Sequence, residues 1–277
     1  MREFRKKQKN LYIFMKALVA VGVVFILAYI GFGQSIAEAS STAAVICRYI
    51  CDLLVIGNMI VVFVYYTKFG KTDAFLNRTE HEISDCGFYF TKSSQKTVSG
   101  FIDEAEKSFT ADGFAVQKAV EIGDFDFSFT AFKKKEFYYF ADIEDLNRDD
   151  VTAYIDTVVN DIAVHNLKRS GNCVICFVTD KAQEGAVALS KMITPLGNKE
   201  QIKIAAAIAE PESGKCYFLG NMETKCQQMI ANYILKCPVP IPDELKSSER
   251  LPFQEELEEK MKSFTVKEFL NGTFYVH

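Results

Sequence analysis

The chain has 277 residues and a formal net charge of −4 at pH 7. Just 7 of its 32 Lys and Arg and 3 of its 36 Asp and Glu precede Thr67, so the remainder carries 25 cations against 33 anions, a net charge near −8. Such an acidic stretch repels phosphate backbones, which disfavours nucleic acid as a partner, and three scattered His residues (His81, His165, His277) argue against a His-based metal site.

Two apolar runs dominate the first 66 residues, Leu11 to Gly33 and Ala44 to Tyr66. Each is long enough to cross a bilayer as a helix, which takes about 20 apolar residues for a hydrocarbon core of roughly 30 Å. Two in succession, split by the more polar Gln34 to Ala43, predict a transmembrane hairpin. Arg2, Arg5, Lys6, Lys7 and Lys9 precede the first run, and Lys68 and Lys71 follow the second. The linker has no Lys or Arg and one acid, Glu38. Flanking Lys and Arg stay on the cytoplasmic side. A multi-pass protein of the plasma (cytoplasmic) membrane is therefore expected, with both termini inside. Tyr12, Phe14, Tyr65, Tyr66 and Phe69 stand where the inner headgroup belt would lie. The basic start and Ala37-Glu38-Ala39 also resemble a secretory signal with a cleavage site, but the apolar run exceeds the usual length of about 7–15 residues. Cleavage would leave the residues after Tyr66 cytoplasmic in either case.

Lys16 is placed to snorkel to the inner headgroups. Arg48 and Asp52 are four apart inside the second run, so they share a helix face and form an intramembrane polar pair. Asn58, deeper in, is expected to hydrogen-bond another helix. An ion path around Arg48 and Asp52, as in a channel or transporter subunit, would need an oligomer, because two helices enclose no pore. The hairpin is a possible homo-oligomer contact.

Thr67 to Gln95 reads as a connector with a short strand at Gly87 to Thr91. Lys96 to Ala111 spaces Val98, Phe101, Ile102, Ala105 and Phe109 as a helix. Phe114 to Ile122 reads as a strand. Phe125 to Thr130 alternates, with Phe125, Phe127 and Phe129 expected on one face, and turns through Lys133-Lys134-Lys135-Glu136 into a partner strand, Phe137 to Ile143. Asn147 to Asn166 is an amphipathic helix capped by Asn147 or Asp149 and stopped at Ser170-Gly171. His165, Lys168 and Arg169 suit its C-terminal dipole.

Cys173 to Thr179 is apolar and suited to an interior strand. The chain has eight Cys, at 47, 51, 86, 173, 176, 216, 226 and 237. Most fall in the expected cytoplasmic part, where thiols stay reduced. Cys173 and Cys176 have C-x-x-C spacing, but residues three apart on a strand face opposite sides and cannot chelate one metal. Lys181 to Thr194 reads as a helix with Asp180 as its N-cap, ended by Pro195 and Gly197. Ile202 to Ala209 and Lys215 to Leu219 are strands, and Asn221 caps a helix to Leu235. A proline-rich exit follows Cys237, then a charged helix over Gln254 to Lys262 and a last strand or docked tail over Phe264 to Val276.

The order αβββαβ resembles the core of the restriction-endonuclease-like (PD-(D/E)xK) superfamily. That resemblance implies a metal-dependent hydrolase with acids at the open end of the second and third strands. Asp124 and Asp126 begin the second strand here, and Asp142 and Glu144 end the third. Asp126, Asp142 and Glu144 would then bind Mg²⁺. The lysine that the family places two residues after an acid is missing from Asp142-Ile143-Glu144. No Gly-rich phosphate loop is present either.

The expected organisation is a basic segment (1–10), spans (11–33 and 44–66) with an external linker (34–43), a connector (67–96), a mixed-sheet α/β domain (97–240) and a charged extension (241–277). With no catalytic signature and no evident cofactor, the expected role is to hold an α/β ligand- or partner-binding domain at the membrane. A membrane-anchored hydrolase is the alternative.

Overall fold

The computed structural model describes residues 2–85, 87–166, 170–191, 193–196, 202–220 and 224–263. Cys86, Lys168, Arg169, Gly197, Asn221, the segment 264–277 and the side chain of His165 lie outside the description. The chain forms two compact units, Met1–Glu80 with Leu257–His277, and His81–Glu256.

The first unit is a pair of long helices, α1 (Arg2–Ala39) and α2 (Ser41–Ser84). Both are long and apolar enough to cross a membrane. The sequence suggests a linker over Gln34 to Ala43, but just Ser40 separates the helices. Ile36 to Ala39 are compatible with helix, and Ser40 caps α2 by accepting from the Ala43 amide at 3.3 Å. Likewise the connector expected after Tyr66 is helical as far as Ser84. Thr72 and Leu76 are buried there, one turn apart. Polar spacing at that period looks like loop when read as composition.

Inside the hairpin, Met15, Tyr65 and Phe69 form a small core with Phe4, Leu11, Tyr12, Val61 and Val62. The Tyr12 and Tyr65 rings meet at a tilt with centroids 5.5 Å apart, as do those of Phe4 and Phe69.

The second unit is a mixed sheet covered on both faces. Its strands are β1 (Tyr89–Phe90), β2 (Ala115–Ile122), β3 (Phe125–Lys133), β4 (Glu136–Asp142), β6 (Gly171–Val178), β8 (Ile193–Leu196), β9 (Ile202–Glu210) and β10 (Lys215–Tyr217). The order is β1-β10-β9-β6-β4-β3-β2, with β8 on β9. β2, β3 and β4 form an antiparallel meander, while β4, β6 and β9 run parallel. Two short strands, β5 (Asp145–Leu146) and β7 (Lys181–Ala182), pair separately. The αβββαβ order of the sequence reading is present, in a mixed sheet.

Successive residues of β6 feed opposite cores. Cys173, Ile175 and Phe177 join one, and Val174, Cys176 and Val178 the other. The first core lies under α4 (Arg148–Asn166) and α5 (Glu184–Ser190), with Val151, Val158, Ile162, Ala186 and Val187. The second lies under α3 (Val98–Ala111), α6 (Lys225–Ile230) and a π-helical turn (Ala231–Leu235). On β9 the bulky Ile202, Ile204 and Ile208 face α4 and α5, whereas Ala205, Ala207 and Ala209 face the α3 and α6 side.

Several expectations need correction. The phenylalanines of β3 do not share one face: Phe127 packs in the α4 core and Phe129 in the α3 core. Lys118 pairs with Phe129 and Val120 with Phe127, and Ala119 between them has φ +45°, so alternation breaks there. Asp180 is not a helix cap, because α5 starts at Glu184 with Gln183 as N-cap. The expected helix over Lys181 to Thr194 instead contributes β7, α5 and β8. Thr224, with Gln227 in a reciprocal capping box, begins α6. For α4, Asn147 is the cap, accepting from the Asp149 and Asp150 amides at 2.8 and 3.1 Å. An α helix α7 (Pro252–Ser263) ends the described chain.

Candidate functional site

A cavity of about 470 Å³ opens on the β2–β3–β4 meander. Its apolar lining includes Val120, Ile122 and Phe137, and its polar lining Gln117, Glu121, Thr130 and Asp161. Asp161 comes from α4, and the Tyr139 hydroxyl donates to its Oδ2 at 2.7 Å. Burial, then the neighbouring Cys173 and Asp161, holds the Tyr139 phenol protonated well above its ordinary range. Tyr139 therefore acts as a fixed donor. Among the described residues two carboxylates and no Lys or Arg line the cavity, which favours neutral or cationic occupants over anions.

The cavity is lined from both sides of the break at Ala119, by Gln117 before it and Val120 after it. Beyond it, Val120 and Ile122 pack with the α4 core, whereas Val116 packs on the other side. The sequence carries no direct signal for the site. Tyr139 and Asp161 are 22 residues apart on different elements, and the switch at Ala119 interrupts the period that would have assigned the faces.

The acids suggested by the nuclease resemblance are partly gathered elsewhere. Burial, Asp180 and Glu144, in that order, raise the Asp142 carboxyl above its usual range. Asp126 does not contribute there. It acts instead on Tyr154, whose hydroxyl donates to the Asp126 carbonyl at 3.2 Å. Among the described residues no three His, Cys, Asp or Glu side chains form a group able to hold a metal ion. Beyond β4 and β6 the chain continues into β5 and β7, so Asp145 pairs with Lys181 at that end of the sheet.

Cys173 and Cys176 are both fully buried, and desolvation pushes both thiols well up. They face different cores, as their strand spacing requires.

A second polar cluster is wholly enclosed. Lys191 Nζ meets Asp85 Oδ2 at 2.5 Å and donates to the Phe218 carbonyl at 2.9 Å. Tyr89 donates to Asp85 Oδ1 at 2.6 Å, and Gln254 to the Asp85 carbonyl at 2.8 Å. A side chain at Gly220 would collide with the Tyr89 ring. With Lys191 and Asp85 at 1% and 0% side-chain exposure, this network has no access for a substrate and serves as architecture.

In the helical unit, Arg5 is the hub. It pairs with Asp73 at 2.7 Å and Glu80 at 2.9 Å and also donates to Gln8 and Asn77. Arg48 and Asp52 are both exposed on α2, and among the described residues no ion pair joins them. Their order explains this, since a helix favours the acid on the N-terminal side of the base. Asn58 packs against α1, where a Cβ on Gly22 would come within 2.5 Å of its Nδ2. Its Oδ1 is buried without a hydrogen-bond partner. The expected hydrogen bond to another helix is thus not seen among the described residues.

The chain matches no protein-family model, no curated protein and no solved structure.

Proposed function

We propose that this is a two-span protein of the plasma membrane that holds its α/β unit on the cytoplasmic side, where the cavity on the meander binds a neutral or cationic small ligand. The carrying observation is the outward apolar surface of α1 and α2. Val24, Ile30, Leu53 and Phe63 are 67%, 73%, 72% and 69% exposed. Water penalises that surface at about 25 cal/mol per Å², whereas hydrocarbon does not. The Arg5 cluster supports a hairpin with both basic ends on one side, because it ties the start of α1 to the 73–80 stretch of α2.

Membrane-impermeant thiol labelling tests the topology. Ser40→Cys should label from outside the intact cell above the parent chain's background, and Ser99→Cys should label after the membrane is opened. Labelling with the opposite sidedness would remove the reading. For the cavity, a ligand found by thermal-shift screening of the full chain in detergent should lose its shift in Thr130→Trp, which fills the site. Retention of the full shift would place the ligand elsewhere.

A further inference from the structure

We infer that two copies of this chain associate through α2, with Arg48 of each copy paired to Asp52 of the other. The inference rests on the membrane reading above. Arg48 and Asp52 lie in a helix long and apolar enough to span, and both are exposed. A charged side chain at the centre of a spanning helix costs about 2.5–3.5 kcal/mol on insertion scales. Among the described residues no intrachain ion pair offsets that cost, and both side chains are exposed beside α1.

The surrounding surface has the form of a helix seam. Val45, Arg48, Asp52, Val55 and Met59 recur at intervals of three and four residues. The apolar members are 52%, 43% and 68% exposed. Such spacing packs one helix on another at a shallow crossing angle. It is also the spacing that puts one base and one acid a single turn apart on the same face.

A surface carrying both signs one turn apart is its own complement. Copies inserted with the same topology are related by a two-fold axis along the membrane normal, which makes the contact isologous. Arg48 and Asp52 are four residues, about 6 Å, apart along the helix axis, a gap that the long Arg side chain spans, and the two-fold axis makes the reciprocal pair. The geometry selects a second copy over lipid, which offers Asp52 no cation, and over an unlike helix, which would need a matched acid and base at the same depth.

Oxidative cross-linking in native membranes tests this on the full chain, in a Cys47→Ala, Cys51→Ala background with Val55→Cys on the seam. A disulfide-linked species of twice the chain mass is expected. Arg48→Asp, Asp52→Arg or the milder Asp52→Asn should reduce it by about tenfold, the scale of one to two kilocalories for an interhelical polar contact. The exchange Arg48→Asp with Asp52→Arg should restore it. Alkaline extraction of the same membranes reads insertion separately. Release of the parent chain from the membrane would overturn the membrane reading itself. An integral chain that gives no such species, gives a species of another mass, or cross-links equally in Asp52→Asn would overturn the pairing alone.

Discussion

In the sheet unit Phe140, Phe177 and Ile208 have no exposed surface, whereas in the helical hairpin Ile30, Leu53 and Phe63 are about 70% exposed. The residue types are alike, so the difference lies in what each region packs them against. The sheet unit buries its side chains against its own helices, in one core on each face. The hairpin has a small core of Met15, Tyr65 and Phe69 and a polar cluster around Arg5. Its cohesion is concentrated at the basic end, and the apolar surface of both helices is long enough to cross a membrane.

That contrast is broken most directly by truncating one aromatic ring in each region. Phe109 is fully buried and contacts the rings of Phe114, Phe129, Tyr138, Phe140 and Tyr233. Phe109→Ala should cost the sheet unit about 3–5 kcal/mol in denaturant unfolding. Phe63→Ala, on the outward face of α2, should leave the same transition where it was. Equal losses from both would mean the hairpin face is packed like a protein core.

A loss of the same order, about 3–5 kcal/mol, is expected from Lys191→Met or Asp85→Asn, because each removes one charge of an enclosed ion pair. Combined, the two should cost less than the sum of the singles when unfolding midpoints are compared. Additivity would show that Lys191 and Asp85 are not coupled.

Tyr138→Phe runs the other way. Its hydroxyl is buried without a partner, in a site where the phenol is held far above its ordinary range first by burial and then by Glu136. Removing an unsatisfied hydroxyl should raise the sheet unit's stability by about 1 kcal/mol. A loss of stability would reveal a bond to that oxygen.

The elements that were legible in the sequence are those with one strong period and a chemical stop. The Val98–Phe101–Ile102–Ala105–Phe109 spacing defines α3, and Asn147 opens α4. The buried β6 announced itself as an unbroken apolar run, and the separation of Cys173 from Cys176 followed from strand geometry alone. The continuation of α2 past Tyr66 was hidden because the stretch is polar and mixed, with Asn77-Arg78-Thr79 in it, whereas in the fold Arg5, 68 residues or more away, bonds Asp73, Asn77 and Glu80 along one helix. The cavity was hidden by the switch at Ala119, a backbone event with no residue signature. Asp142 and Glu144 were found as acids. Their neighbour Asp180 was read as a cap, since a pairing of β5 with β7 cannot be inferred from two dipeptides.

The smallest effect concerns that carboxylate group and turns on pH. Burial, Asp180 and Glu144 raise the Asp142 pKa in the fold above its unfolded value. The folded state then holds its proton more tightly than the unfolded state does. Above the folded pKa both states are ionised, and the fold bears the full cost of the crowded charge. As pH falls through the raised pKa and on through the unfolded value, the fold takes up the proton first and that cost is relieved. Asp142→Asn removes the charge at every pH, so it should stabilise the sheet unit near neutrality. Asp142 is largely exposed, which limits the gain to no more than about 0.5 kcal/mol. The gain should shrink as pH drops into the carboxylate range, where the parent is protonated too. A metal bound between Asp142 and Glu144 would reverse this sign. Unfolding midpoints of parent and variant, taken across that pH range with and without Mg²⁺, therefore also separate a repulsive acidic rim from a cation site: a parent that becomes the more stable of the two when Mg²⁺ is added would mark the latter.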